Sequence, residues 1–129
     1  MNKNKINDQI SLAYDAIKEA GIVEADGVTV KKAFRGQIST FGAAVTMGSM
    51  EAAIAFFSDK GSAAVDREKL IKAIALVLKK DADCTFEPAP GSEIKSLFDY
   101  AVAEKEEAKE NILNAAIAIK LAMNLFKLE

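Results

Sequence analysis

The sequence predicts an all-α protein, a compact bundle of five or six helices with a long C-terminal helix. The composition is rich in Ala, Lys, Glu, Ile and Leu and holds only 2 Pro, a bias that favours helices. Apolar residues recur three and four positions apart along most of the chain, and no segment shows the alternation of a strand. With 129 residues, half of them hydrophobic, residues 1–129 are expected to form a single helical domain.

The first helix is predicted from about Asn4 to Ala20. Gly21 stands where a C-terminal cap would. A polar connector, Val23 to Thr29, follows and turns at Asp26-Gly27. The apolar positions of this helix share one face: Ile6, Ile10, Tyr14 and Ile17.

The second helix is predicted to begin near Thr29, a plausible N-cap, and to stop at Gly48. Gly36 and Gly42 weaken a helix, and we expect them to let another backbone come close. A continuous apolar stripe runs along the helix: Val30, Phe34, Ile38, Phe41 and Val45.

Two further helices follow. Ser49 is expected to cap a short, mostly buried helix, Met50 to Asp59, which ends at Lys60-Gly61. The next helix runs from about Asp66 to Lys80, with acids in its first turn and lysines in its last, as the helix dipole favours. Its core face is predicted to hold Leu70, Ile71, Ile74, Val77 and Leu78.

After a proline-marked loop, Asp81 to Gly91, Ser92 is expected to cap the C-terminal helix. Helical spacing then continues to Phe126, over more than 30 residues. A break within the charged stretch Glu104 to Glu110 stays open, although no Gly or Pro enforces one. We therefore expect one long helix or two nearly collinear ones, with the apolar run Ile112 to Phe126 packed in the core.

Catalytic groups are scarce. The chain has no His, which excludes Ser-His-Asp and Cys-His arrangements and imidazole metal ligands. Cys84 is the single cysteine, expected to be structural and reduced, as in a cytoplasmic protein. The sequence thus predicts no enzyme, no metal and no cofactor, and it holds no apolar stretch near the roughly 20 residues of a membrane span. The carboxylates Glu104, Glu106, Glu107 and Glu110 are interpreted as a solvated face with Lys105 and Lys109.

The feature that points to function is positive charge at the start of the second helix. Lys31, Lys32 and Arg35 lie off the apolar stripe, and no acid occurs between Asp26 and Glu51. Such cations can neutralise phosphates without reading sequence, although a plain solvated face explains them too. Further cations extend the positive charge along the chain: Lys60, Arg67, Lys69, Lys72, Lys79 and Lys80. Residues 81–129, with ten acids and five bases, are acidic.

The stretch from Phe34 to Gly61 resembles the small all-helical subunit of the type III-B CRISPR effector complex, the Cmr module. An aromatic-led helix passes through a basic patch to a turn glycine, and a short helix with an aliphatic-Ala-Phe pattern leads to a Lys-Gly stop. The matching positions are Phe34, Ile38, Val45, Gly48, Ile54-Ala55-Phe56, Lys60-Gly61 and the apolar-Lys ending Leu125-Phe126-Lys127. The chain departs from the family in having no Trp.

The resemblance implies a structural, non-catalytic subunit in antiviral defence. Its partners would be other subunits of the complex, further copies of itself in a stack, and the guide and target RNA. The implied RNA-binding residues are Lys31, Lys32, Arg35 and Lys60. The alternative is a helical protein-interaction module without a nucleic-acid role, using the apolar C-terminal helix for a homodimer or another partner.

Overall fold

A computed structural model describes residues 2–58 and 65–129 of the chain. Its elements follow in the order α1 (Lys3–Glu19), β1 (Thr29–Val30), α2 (Lys32–Met47), α3 (Met50–Phe57), α4 (Glu68–Lys80), α5 (Glu93–Ala122), a short 3₁₀ helix (Met123–Leu125) and β2 (Lys127–Leu128). The predicted all-α bundle with a long C-terminal helix is confirmed. None of the helices within the described ranges has the length and apolar character needed to cross a membrane.

α4 is the central helix of the bundle. All its residues from Leu70 to Leu78 are buried except Lys72, which is half-buried. It packs against α1 and α5, while α2 and α3 pack against α5. The core face predicted for this helix is confirmed, and its neighbours bury it on nearly every side.

α1 ends directly before Gly21, as its sequence predicted. Gly21 adopts a φ of +82°, which a left-handed cap requires. The N–H of Gly21 donates to the carbonyl of Lys18, and the N–H of Ile22 donates to the carbonyl of Ile17, both at 3.1 Å. This pair of bonds is a Schellman motif, which satisfies the last carbonyls of the helix.

All five residues of the predicted stripe are buried, four of them in α2 and Val30 in β1. The predicted N-cap was wrong, however. Thr29 belongs to β1, and α2 begins at Lys32 with Lys31 in the cap position and no side-chain cap bond. No other backbone in the described part of the chain comes close to Gly36 or Gly42, because no atom outside their own stretch of helix lies within 4 Å of where their β-carbons would be.

The C-terminal segment pairs with the connector after α1. β2 runs parallel to β1, and the N–H groups of Lys127 and Glu129 donate to carbonyls at positions 28 and 30, at 2.8 and 3.0 Å. The prediction of a helix reaching Phe126 was therefore wrong. The helix ends at Ala122, and the Phe126 ring then stacks on Tyr14 with 4.9 Å between ring centres.

α5 is broken at Lys105, whose φ of +42° and ψ of −104° are not helical. The Tyr100 hydroxyl lies 2.8 Å from Nδ2 of Asn111. A straight helix would separate these two α-carbons by about 16 Å, and both side chains would lean towards its N-terminus. The contact therefore requires a sharp bend, and the prediction of one helix or two nearly collinear ones was wrong.

Two predicted caps have different outcomes. Ser49 caps α3 by accepting a hydrogen bond from the N–H of Ala52 at 3.2 Å. Ser92 occupies the N-cap position of α5 but makes no side-chain cap bond. The predicted end of the third helix at Asp59 to Gly61 lies outside the described residues.

Candidate functional site

The candidate site lies where the chain passes from β1 into α2. The buried stripe of α2 points to the core, so the cations at its start face away from the core. Lys31 and Lys32 are exposed and Arg35 is half-buried. The structure therefore groups Lys31, Lys32 and Arg35 on one turn, as the sequence predicted. The fourth predicted residue, Lys60, lies outside the described residues.

Lys31 has a weak acidic partner. Its Nζ lies 3.8 Å from Oε1 of Glu24, and the two side chains are 59% and 43% exposed. An exposed pair at that distance contributes little to stability and is easily exchanged for another anion. Lys31 therefore stays accessible to a phosphate.

Lys32 and Arg35 form no ion pair with any residue in the described part of the chain. The Nε of Arg35 is buried and has no hydrogen-bond partner there. An external acceptor would therefore bind the exposed part of this half-buried side chain rather than Nε, and a bond to the guanidinium would be charge-assisted.

Sequence reasoning missed one acidic residue, Glu129, that the fold brings to this site. Glu129 accepts a hydrogen bond at its main-chain carbonyl from the N–H of Lys32, at 2.8 Å. Its side chain pairs with Lys127 at 2.9 Å. Hydrogen bonds from the side chain and N–H of Thr29 and from the N–H of Val28 hold the pKa of Asp26 below its ordinary value. Asp26 is local to the site, whereas no local signal could reveal Glu129, because the pairing of β2 with β1 spans most of the chain.

Two cations of the predicted extension of positive charge are engaged by other groups. The Arg67 guanidinium is buried and lies 4.5 Å from the centre of the Phe56 ring, a cation–π contact. Lys80 pairs with Glu19 on α1 at 3.0 Å. The candidate site is the start of α2, because three cations share one turn there.

Cys84 is tied into the bend of α5. Its sulfur lies 3.6 Å from the Tyr100 hydroxyl and 3.9 Å from Nδ2 of Asn111. Burial raises the pKa of Tyr100 well above its ordinary value. These contacts describe a packed polar cluster, in agreement with the structural role expected for Cys84.

Residues 2–58 and 65–129 contain no group of three His, Cys, Asp or Glu side chains that could hold a metal ion. The acidic residues Glu104, Glu106, Glu107 and Glu110 are exposed, as expected for a solvated face.

The apolar residues of α5 lie mainly in the core, which confirms their predicted packing. Ile112 and Ile119 are fully buried, while Leu121 and Leu125 are 42% and 64% exposed. On this helix, the surface left for the alternative function therefore consists of half-buried and exposed residues such as Leu113, Ile117 and Leu121.

Comparisons with known protein families, with curated proteins and with solved structures found no match to this chain.

Proposed function

We propose that this chain is a non-catalytic structural subunit of a type III-B CRISPR-Cas ribonucleoprotein in antiviral defence. It stacks with further copies beside the guide-bound backbone subunits and contacts the guide–target RNA through the start of α2. The observation that carries the proposal is the position of Lys32 and Arg35, which face away from the packed stripe and form no ion pair in the described part of the chain.

The electrostatics of α2 support contact with phosphate. The first turn of the helix contains no acid, so nothing on the helix offsets the positive end of its dipole. Lys31, Lys32 and Arg35 add full charges at the same end. Each can neutralise one phosphate, which gives binding that weakens as salt displaces the contacts. Lys60 is included among the proposed RNA contacts only because the family resemblance implies it.

A salt-dependent binding assay tests the proposal. Fluorescence anisotropy with a labelled RNA duplex compares the parent with the variant Lys31→Glu/Lys32→Glu/Arg35→Glu. We expect weaker binding and a slope of log affinity against log salt that is smaller by about 2.7, since three phosphate contacts on a duplex are lost at ~0.9 each.

The matched control is Lys3→Glu/Lys18→Glu/Lys95→Glu, which changes the net charge equally at other exposed positions. It should retain the parent slope, with circular dichroism showing that both variants fold. An equal loss of RNA affinity in both variants would indicate nonspecific attraction between RNA and the charged protein. An unchanged salt slope in the α2 variant would refute the proposed surface.

A further inference from the structure

An open groove runs between α2 and the C-terminal arm of α5. Small and apolar residues form most of it, and Lys120 is its one charged lining residue. The residues lining the groove are Ile38, Ser39, Gly42, Ala43, Thr46, Leu113, Ala116, Ile117 and Lys120. Such a surface can accept a closely packed neighbour, because short side chains let two backbones approach.

The outward face of α2 beside this groove is uncharged. No Asp, Glu, Lys or Arg follows Arg35 in this helix, and the face ends at Met47, which is 87% exposed. The hydroxyls of Ser39, Thr40 and Thr46 donate to carbonyls four residues earlier in the same helix, at 3.1, 3.1 and 2.9 Å. Their donors are therefore already satisfied, which lowers the cost of removing this face from water.

Opposite charges mark the two ends of the groove. Because β1 and β2 are adjacent, the start of α2 and the end of α5 lie at one end, which carries Lys32, Arg35 and Lys120. Leu113 lines both the groove and an adjoining hollow that contains three carboxylates, Glu106, Glu107 and Glu110, and one cation, Lys109, so this end carries a net negative charge. None of these seven charged residues forms an ion pair within the described ranges.

We infer that a second copy of this chain packs on the α2–α5 groove in antiparallel orientation, related by a two-fold axis. The cationic end of each copy then meets the carboxylate end of the other, and the uncharged faces meet between them. The lengths agree, since Lys32–Met47 spans about 22 Å and Glu106–Lys120 about 21 Å of helix. The same surface carries a cationic end and a carboxylate end, so a second copy in the opposite orientation presents the complementary charge at each end.

This side-by-side contact goes beyond the stacking in the proposed function. Lys32 and Arg35 serve both the dimer and the phosphate contact, so the two uses exclude each other. RNA is therefore expected to separate the copies, and raising the protein concentration is expected to weaken RNA binding.

Charge exchange between two variants tests the dimer. One variant carries Lys32→Glu/Arg35→Glu/Lys120→Glu and the other Glu106→Lys/Glu107→Lys/Glu110→Lys. In sedimentation velocity at low salt, the parent should approach the mass of two copies as concentration rises. Each variant alone should remain at one copy, and an equimolar mixture should restore the pair. A monomeric parent, a mixture that stays monomeric, or growth beyond two copies would overturn the inference.

A second pair of variants separates this inference from the RNA proposal. Ala43→Lys places a cation at the centre of the groove face and should abolish the dimer while keeping RNA binding. Ala103→Lys, at an exposed position on the other arm of α5, should leave the dimer unchanged. Persistence of the dimer in Ala43→Lys would refute the groove contact, whatever the RNA assay shows.

Discussion

At the scale of single residues, the ion pair between Lys5 and Asp81 joins the start of α1 to the end of α4. Asp81 is buried directly after α4, and one carboxylate oxygen lies 2.6 Å from Nζ of Lys5 and 2.8 Å from Nε2 of Gln9. Burial alone would raise the pKa of Asp81. Hydrogen bonds from Lys5, the N–H of Asp83 and Gln9 outweigh it and hold the pKa below its ordinary value.

The lowered pKa predicts acid sensitivity. The unfolded state binds the proton more readily than the folded state, so the contribution of Asp81 is present above about pH 4 and is lost as pH falls through the folded pKa. Asp81→Asn should lower the free energy of unfolding at neutral pH by about 2 kcal/mol, because Lys5 keeps only its exposed partner. Urea denaturation across pH measures both effects.

The neighbouring carboxylate supplies the control for that experiment. Asp83 also contacts Lys5, at 3.2 Å, but its side chain is 85% exposed. Asp83→Asn should therefore change stability by less than about 0.5 kcal/mol. An equal loss of unfolding free energy in both variants would show that the burial of Asp81 does not determine its contribution to stability.

At the scale of elements, α5 is the least regular helix. Its bend brings Tyr100, Asn111 and Cys84 together, which ties the loop after α4 to both arms of the helix. The residue at the break is Lys105, and its positive φ is the only one among the described residues that is not a glycine. Such a conformation is strained for any residue with a β-carbon.

Replacing that residue with glycine tests the bend. Lys105→Gly should raise the free energy of unfolding by about 1 kcal/mol, because glycine adopts this conformation without steric strain. Ala103→Gly, at an exposed helical position two residues earlier, should lower it by about 1 kcal/mol. Thermal and urea denaturation give both values. If both glycines destabilise equally, α5 is continuous through position 105.

At the scale of the whole molecule, the β1–β2 ribbon joins the connector after α1 to the C-terminal segment, directly before α2 begins. The N–H of Lys32 donates to Glu129, so the orientation of the candidate site depends on the C-terminal segment. Phe126 anchors that segment by stacking on Tyr14 and is 9% exposed. Loss of this anchor should loosen the ribbon and the start of α2 together.

Truncating the Phe126 side chain tests whether it anchors the C-terminal segment. Phe126→Ala should lower the free energy of unfolding by about 3 kcal/mol through lost burial and the cavity it leaves. Leu125→Ala removes an adjacent side chain that is 64% exposed and should cost less than about 0.5 kcal/mol. If chemical denaturation showed comparable losses of unfolding free energy in the two variants, the result would contradict the packing of Phe126 against Tyr14.

The elements that could be predicted are those encoded locally. The stripe of α2, the cap at Gly21 and the cap at Ser49 depend on bonds between residues at most five apart, which appear as periodicity and cap residues. For the same reason, the sequence predicts that Lys31, Lys32 and Arg35 share one turn. It does not reveal that Glu129 lies beside them, since that neighbour comes from the far end of the chain.

The sequence by itself determined the all-α class, the buried stripes and the cationic turn, because helical hydrogen bonds and side-chain spacing are local properties. Only the tertiary structure decided the β1–β2 pairing, the bend at Lys105 and the partner of Asp81. Each of these depends on groups meeting in space; Lys5 and Asp81, for example, lie 76 positions apart. Which distant segments meet is set by joint burial of all the apolar faces, and no short stretch of sequence contains that information.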